Sequence, residues 1–497
     1  MLKRLFPLAL LTLTVPVLAA APPAPVVSAA QAPTLQQQVE ALLGQAPKGT
    51  RFGLMVADAD GRVLVSVNPD MRFMPASNTK LFTTAAALGL NPHPGHPDHA
   101  SGAQVFLVRD DQPGPKDAVL YGRGDALLSS APDCKADCLA TLADAVARKT
   151  RTVGDVIGND SYFPDQRWSA GMSWNNIGDY NATATSALSL DANELTITVR
   201  PGAVGGLAQV AAPPYLTVDA QALTTTAGGA ISLKLEHRIN SRSFRLYGSI
   251  PANAPAWTAR VGIDDPADYA ANVFAQMLRN RGVSVTGSVK VRHQPVLDES
   301  GLNAITAAND MIVAGWCEPL AGLIPPPITE QIALINKPSQ NLYAELLLRR
   351  IGRMNGSGSV EDGLKLERAF HLGSGIPVEG FDLYDGSGMS TYNRVSPRAM
   401  LALLHWGMAQ SWGKTWLASF PVAGRDGTLK KRFLGTSLEA KMTAKTGTLN
   451  ATNALSGTLV TAKGRTLTFA FFANDVPDGA SAITVMEQTL LAVAAAN

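Results

Sequence analysis

The chain has 497 residues, 46% hydrophobic and 16% charged, too many for one compact core and suited to a globular protein of two or three domains. A formal net charge of +2 provides neither a basic field for nucleic acid nor an acidic tail, so no nucleic-acid partner is expected.

The first residues read "MLKRLFPLALLTLTVPVLAA". Lys3 and Arg4 precede an apolar run from Leu5 to Leu18 and then small residues, the pattern of a secretory signal peptide. Val17-Leu18-Ala19 and Ser28-Ala29-Ala30 both suit cleavage. The run is short for a membrane span and carries Pro7 and Pro16. An exported protein, periplasmic or envelope-associated and without a stable span, is therefore expected. Residues 1–20 read as the signal peptide and 21–34 as an Ala/Pro-rich linker.

"RFGLMVAD" and "RVLVSV" alternate as the strands of a hairpin around "ADGR". A helix, "SNTKLFTTAAALGL", follows and ends in the breaker-rich "NPHPGHPDHASGA". From about Gln104 to Leu302 short β-type runs dominate, among them "AQVFLVR", "LTITVRPG" and "SFRLYGSI". Two helical patterns interrupt them, "LATLADAVARK" and "YAANVFAQMLRNRG". Helices then return at "EQIALINK", "NLYAELLLRRIG", "EDGLKLERAFHL" and "PRAMLALLHWGMAQ". A strand pair, "LSGTLVTAKGRTLTFAFFAN", and the helix "AITVMEQTLLAVAA" close the chain. One domain is thus split by a long, mostly β insertion.

Three short motifs stand in order. Ser77-x-x-Lys80 opens the first helix, Ser339-Gln340-Asn341 opens a later one, and Lys445-Thr446-Gly447 sits in a strand-like run. Each alone is weak: S-x-x-K recurs at Ser411–Lys414, and S-x-N recurs at Ser66 and Ser173. Ser77 taken alone is an N-cap and Lys80 a solvated helical charge. The ordered set carries chemistry. Ser77 and Lys80 share a helix face, and a buried lysine near other cations loses part of its basicity and can accept the serine proton. Ser339 can relay a proton to a leaving amine, Asn341 can hold Lys80 or substrate, and Lys445 can attract a carboxylate. An adjoining strand can align an extended substrate and supply oxyanion-hole N–H groups.

With these motifs the chain resembles the serine D-Ala-D-Ala peptidases, most closely the class C low-molecular-mass penicillin-binding proteins of the S13 type. "YDGSGMSTYNRVSP" (384–397), "GRDGTLKKRF" and "ALSLDANELTITVRPG" add to the likeness, which runs over nearly the whole mature chain. The resemblance implies an α+β fold, a β-lactamase/DD-peptidase-like antiparallel sheet flanked by helices. The DD-peptidase domain would comprise 35–95 and 303–497, with β-rich inserts at 96–189 plus 256–302 and at 190–255. It implies a D-Ala-D-Ala carboxypeptidase, with DD-endopeptidase activity as a second capacity. Its partners would be peptidoglycan stem peptides and, as covalent inhibitors, β-lactams; no cofactor or metal is implied. Ser77 would be acylated, with Lys80 as base and Ser339 as proton shuttle. Lys445, Thr446 and Thr448 would bind the terminal carboxylate, with Gly447 in the same binding strand. The N–H groups of Ser77 and Thr448 would form the oxyanion hole. In many relatives an acid of the insert and an arginine grip a diaminopimelate side chain. Asp160 in "GNDSYF" and Thr391 stand for these positions here. The exchange predicts a third stem residue that carries an amine without a carboxylate, such as ornithine or lysine. "GRGDALLSS" departs from the family's Gly-Asp-Pro-Thr-Leu, which predicts a changed turn at Asp125.

His93, His96 and His99 lie in a Pro/Gly-rich loop and read as exposed loop histidines, not as a metal site. The Glu-x-x-Leu-Asn run at 299–303 precedes the S-x-N motif, the wrong order for a class A β-lactamase. "GSGSVEDG" follows a helix, and no G-x-S-x-G elbow occurs. Cys134 and Cys138 fit either a short disulfide or two thiols on one helical face. Two competing functions remain: a β-lactamase or esterase of the same superfold, and a wall-binding protein with a relic site.

Overall fold

The computed structural model describes residues 33–109, 114–296 and 318–497. The signal-peptide pattern, most of the linker, Cys317 and the 299–303 run lie outside the described residues.

The body of the protein is a five-stranded antiparallel sheet in the order Val63–Val67, Arg51–Asp58, Thr466–Asn474, Thr452–Val460, Met442–Leu449. Two hairpins from opposite ends of the chain are joined where Arg51–Asp58 pairs with Thr466–Asn474 in full register. Both faces are covered, so the strands read as near-continuous apolar runs. Phe52, Leu54, Val56, Phe469 and Phe471 turn to one face, under helices Leu35–Leu43 and Ile483–Ala496. Met55, Ala57, Ala470 and Phe472 turn to the other, where helices Thr79–Leu90 and Pro397–Met408 lie. Thr79 through Leu88 are all buried, so helix Thr79–Leu90 is the central one of its layer and not an amphipathic surface helix.

The insertion is less purely β than its strand-rich sequence suggests. Its main sheet runs Val289–Gln294, Val156–Pro164, Asp117–Tyr121, Gln104–Val108, Ala321–Gly322. The first three strands are parallel. The two helical patterns supply the crossovers, as Leu139–Lys149 and Pro266–Asn280. Residues 194–262 form smaller sheets, in which Glu194–Arg200 pairs with Trp257–Gly262. One apolar cluster, including Leu120, Ile197, Phe244 and Phe274, runs through these layers.

Cys134 and Cys138 are joined by a disulfide, and Cys138 sits at the N-cap of Leu139–Lys149. Asp125 is buried and accepts from Leu127 N at 2.8 Å, a local Asx turn. His93, His96 and His99 are exposed; the first two rings stack 5.0 Å apart. Among the described residues no helix is long and apolar enough to cross a membrane.

Candidate active site

Ser77 lies in a 3₁₀ turn, Ala76–Asn78, that leads into helix Thr79–Leu90. Its hydroxyl is not a helix cap. It accepts from Lys80 Nζ at 2.9 Å, which removes the N-cap reading. Ala76 is held in the left-handed region, φ 46°, a strained conformation for a residue with a Cβ. Two glycines permit the surrounding chain to close on this turn. A Cβ at Gly388 (φ 88°) would fall 1.9 Å from Ala76 O, and one at Gly447 would fall 2.8 Å from Pro75 O.

Lys80 is fully buried. Besides Ser77 Oγ, its Nζ meets Asn341 Oδ1 at 2.6 Å and Ser387 O at 2.5 Å. Asn341 Nδ2 donates to Asn181 O at 2.7 Å, which fixes the amide with its oxygen toward the lysine. Neutral Lys80 has two N–H donors and one lone pair. The two fixed acceptors take the donors, and the lone pair is left for Ser77 Oγ. Burial pulls the Lys80 pKa down to about 7; the charges of Asp385 and Glu345 limit the fall.

The Asp385–Ser390 loop that presents Ser387 O is itself held by buried acids. Glu345 Oε1 accepts from the N–H groups of Gly386 (3.1 Å) and Ser387 (3.0 Å). Its Oε2 accepts from Ser169 Oγ and Arg349 Nη1, each at 2.9 Å. Burial opposes the Glu345 charge, but Arg349 and these donors hold its pKa below the usual range. Asp385 accepts from Gly388 N at 2.9 Å and from Ser390 N at 2.6 Å.

Ser339 (φ 66°) precedes helix Asn341–Arg353, and Lys445 Nζ donates to its Oγ at 2.8 Å and to Thr446 O at 2.9 Å. Lys445 is fully buried, and burial together with Lys80 lowers its pKa well below the usual lysine value. Among the described residues no carboxylate pairs with either lysine. Met442–Leu449 is the edge strand of the sheet, so the backbone of Thr446–Thr448 is open on one side to pair with an extended ligand.

These groups border one cleft of about 590 Å³, lined by Ser77, Ser339, Asn341, Thr446, Gly447 and Thr448. Two expected binders are not brought there. Asp160 lies in strand Val156–Pro164, buried, accepting from Ser186 Oγ at 2.7 Å and paired with His293 Nδ1 at 2.9 Å. His293 bridges Asp160 and Asp265, which raises its pKa to about 10. Thr391 is tied by its N–H and hydroxyl to Gly171 O, at 2.9 and 3.1 Å, and does not line the cleft. In this structure neither lines that cleft, and each directs polar atoms to partners inside the protein. Asp160→Asn is expected to cost about 1–3 kcal/mol of stability and to leave KM for D-Ala-D-Ala peptides within about twofold, a substitution near neutral for function. Melting curves and steady-state kinetics read the two effects separately.

The insert wall of the cleft is instead Asn176, Asp179 and Asn181. Thr428 and Arg432 line the opposite side, and Thr428 Oγ1 meets Thr446 Oγ1 at 2.6 Å. Among the described residues the group close enough to share an ion is Asp160, Asp165 and His293, already engaged as an ion pair.

A hydroxyl bonded to a buried lysine, beside a second hydroxyl–lysine pair at a sheet edge, fits the serine hydrolases that use a lysine base. The chain matches the D-Ala-D-Ala carboxypeptidase 3 (S13) family over residues 35–495 and belongs to it. It is 33% identical over 454 residues to the D-alanyl-D-alanine carboxypeptidase of Actinomadura sp. (strain R39), covering 86% of this chain and 79% of that protein. It is 24% identical over 457 residues to the D-alanyl-D-alanine carboxypeptidase DacB of Haemophilus influenzae, covering 89% of each. Its fold is similar to that of penicillin binding protein 4 from Haemophilus influenzae, with a TM-score of 0.77 at 21% identity over 91% of this chain and 98% of that one. A second structure of that protein, complexed with a β-lactam, gives a TM-score of 0.71 at 19% identity, covering 92% and 98%. This chain is accordingly an enzyme, a serine-type D-Ala-D-Ala carboxypeptidase.

Proposed function

We propose that the enzyme removes the terminal D-alanine of peptidoglycan stem peptides through an acyl-enzyme on Ser77. The observation that carries this reading is Lys80, fixed by Asn341 Oδ1 and Ser387 O with Ser77 Oγ at its third position. Neutral Lys80 takes the Ser77 proton as Oγ bonds to the penultimate D-Ala carbonyl carbon. The oxyanion is met by the N–H groups of Ser77 and Thr448. The C–N bond then breaks, and the departing amine takes a proton from Ser339 Oγ, which the proton held on Lys80 restores, so Lys80 is neutral again for the second half. Water repeats the sequence on the ester, releasing the shortened peptide and restoring Ser77. Lys445, Thr446 and Thr448 face the substrate's terminal carboxylate, and Gly447 keeps the strand close to the nucleophile turn.

The same acylation cleaves a cross-link when the leaving amine belongs to a neighbouring stem peptide, so DD-endopeptidase activity is included in the proposal. A β-lactam places its strained amide at the same carbonyl position and acylates Ser77, but its leaving group stays tethered and the ester persists. Work on cell-wall peptide requires export, and the leader pattern at 1–20 supports it. The test is D-alanine release from an acyl-D-Ala-D-Ala peptide, with intact mass after penicillin G. Release and a stable adduct are expected; folded protein giving neither ends the proposal.

A further inference from the structure

Lys445 cannot be the whole of the cleft's anion recognition. It is fully buried, its Nζ already donates to Ser339 Oγ and Thr446 O, and burial beside Lys80 disfavours its charge. A permanent cation stands on the same side. Arg432 lines the cleft with Thr428, Thr446 and Thr448. Its Nε donates to Glu487 Oε1 at 2.6 Å, while its Nη2 is buried and has no hydrogen-bond partner among the described residues. A buried guanidinium N–H without a partner is costly, and such groups mark sites where a ligand completes the set. The next residue, Phe433, is buried and lies in the left-handed region, φ 61°. The Arg432 guanidinium lies 5.7 Å from the Phe433 ring.

We propose that Arg432 recognises the terminal carboxylate of the substrate, its guanidinium turning so that the unpartnered Nη2–H donates to one carboxylate oxygen while Thr446 and Thr448 hold the other. A guanidinium stays charged at every working pH and suits a planar carboxylate. The Glu487 pair holds the side chain and half-compensates it, which limits the cost of the cation in the empty cleft. The inference rests on the peptidase reading above.

The test uses two substrates, an acyl-D-Ala-D-Ala peptide and the same peptide ending in a carboxamide. Arg432→Gln should lower kcat/KM for the acid roughly 10- to 100-fold, mainly through KM, the size of one charge-assisted hydrogen bond. For the carboxamide the loss should stay within about threefold. Equal losses on both substrates overturn the assignment. If Arg432→Gln does not fold, Arg432→Lys decides by the same contrast, because it keeps charge and most of the packing; a loss confined to the acid supports the proposal and an equal loss overturns it. Wild type that shows no preference for the acid overturns the peptidase reading as well. Wild type that prefers the acid, with equal losses in the variant, overturns only the role of Arg432.

Discussion

Ser77→Ala is expected to abolish the penicillin G adduct and to lower D-alanine release by roughly 10⁴- to 10⁶-fold, the scale seen when a nucleophilic serine is removed from a serine hydrolase. The fold should survive. Ser77 is half-buried, its hydroxyl makes one bond, to Lys80, and alanine already occupies position 76 of the same turn. Intact-protein mass and a melting curve check both halves of the statement. A penicilloyl adduct on the variant would move the nucleophile elsewhere, and Ser339 would be the next hydroxyl to replace.

Lys80→Met should cost about 10²–10⁴-fold in acylation rate, the usual share of a general base. It should also change how stability depends on pH. Burial pulls the Lys80 pKa down to about 7 in the folded protein, from an ordinary lysine value of 10.5. Between these values the unfolded chain binds more protons than the folded one, so this residue makes the wild type more stable as pH rises from about 7 toward 10.5. Below the lower value the full penalty of the buried cation is present. Its slope approaches about 1.4 kcal/mol per pH unit in the middle of that window. Lys80→Met lacks that slope, so it stands out in the wild-type-minus-variant difference. Part of the gain is offset, because Asn341 Oδ1 and Ser387 O lose their donor. For the wild type, kcat/KM should rise through pH of about 7 as Lys80 loses its proton. Denaturant melts at several pH values and a pH–rate profile measure the two consequences. A profile flat across neutrality would mean that another group takes the Ser77 proton.

The motifs were legible because their spacing is local or their order is fixed. Ser77 and Lys80 meet across one helical turn, and Lys445 lies in a strand whose hairpin partner follows at once. The strands of the five-stranded sheet were legible as apolar runs. Strand Val156–Pro164 was not, because its centre is Asn159-Asp160-Ser161. Such residues look like loop or site until their partners are known, and those of Asp160, Ser186 and His293, come from distant sequence. Helix Leu35–Leu43 went unmarked although Thr34 and Gln37 spell a capping box. The support beneath Lys80 was hidden for a different reason. Glu345 lies in a helix that reads as an ordinary amphipathic one, and its task appears only once the 385–390 loop folds over it.

The insertion reaches Lys80 from two directions. Asn181 O orients Asn341, and Ser169 Oγ completes the shell of Glu345, which holds the loop bearing Ser387 O. The three motifs that name this enzyme are therefore not a portable cassette. A shortened version keeping all three, with the interrupting segment cut out and the ends rejoined, would leave the Asn341 amide free to rotate and one oxygen of a buried carboxylate without its serine. What looks in the sequence like an interruption between the first motif and the second is, in the folded molecule, part of the machinery that sets the basicity of a single amine.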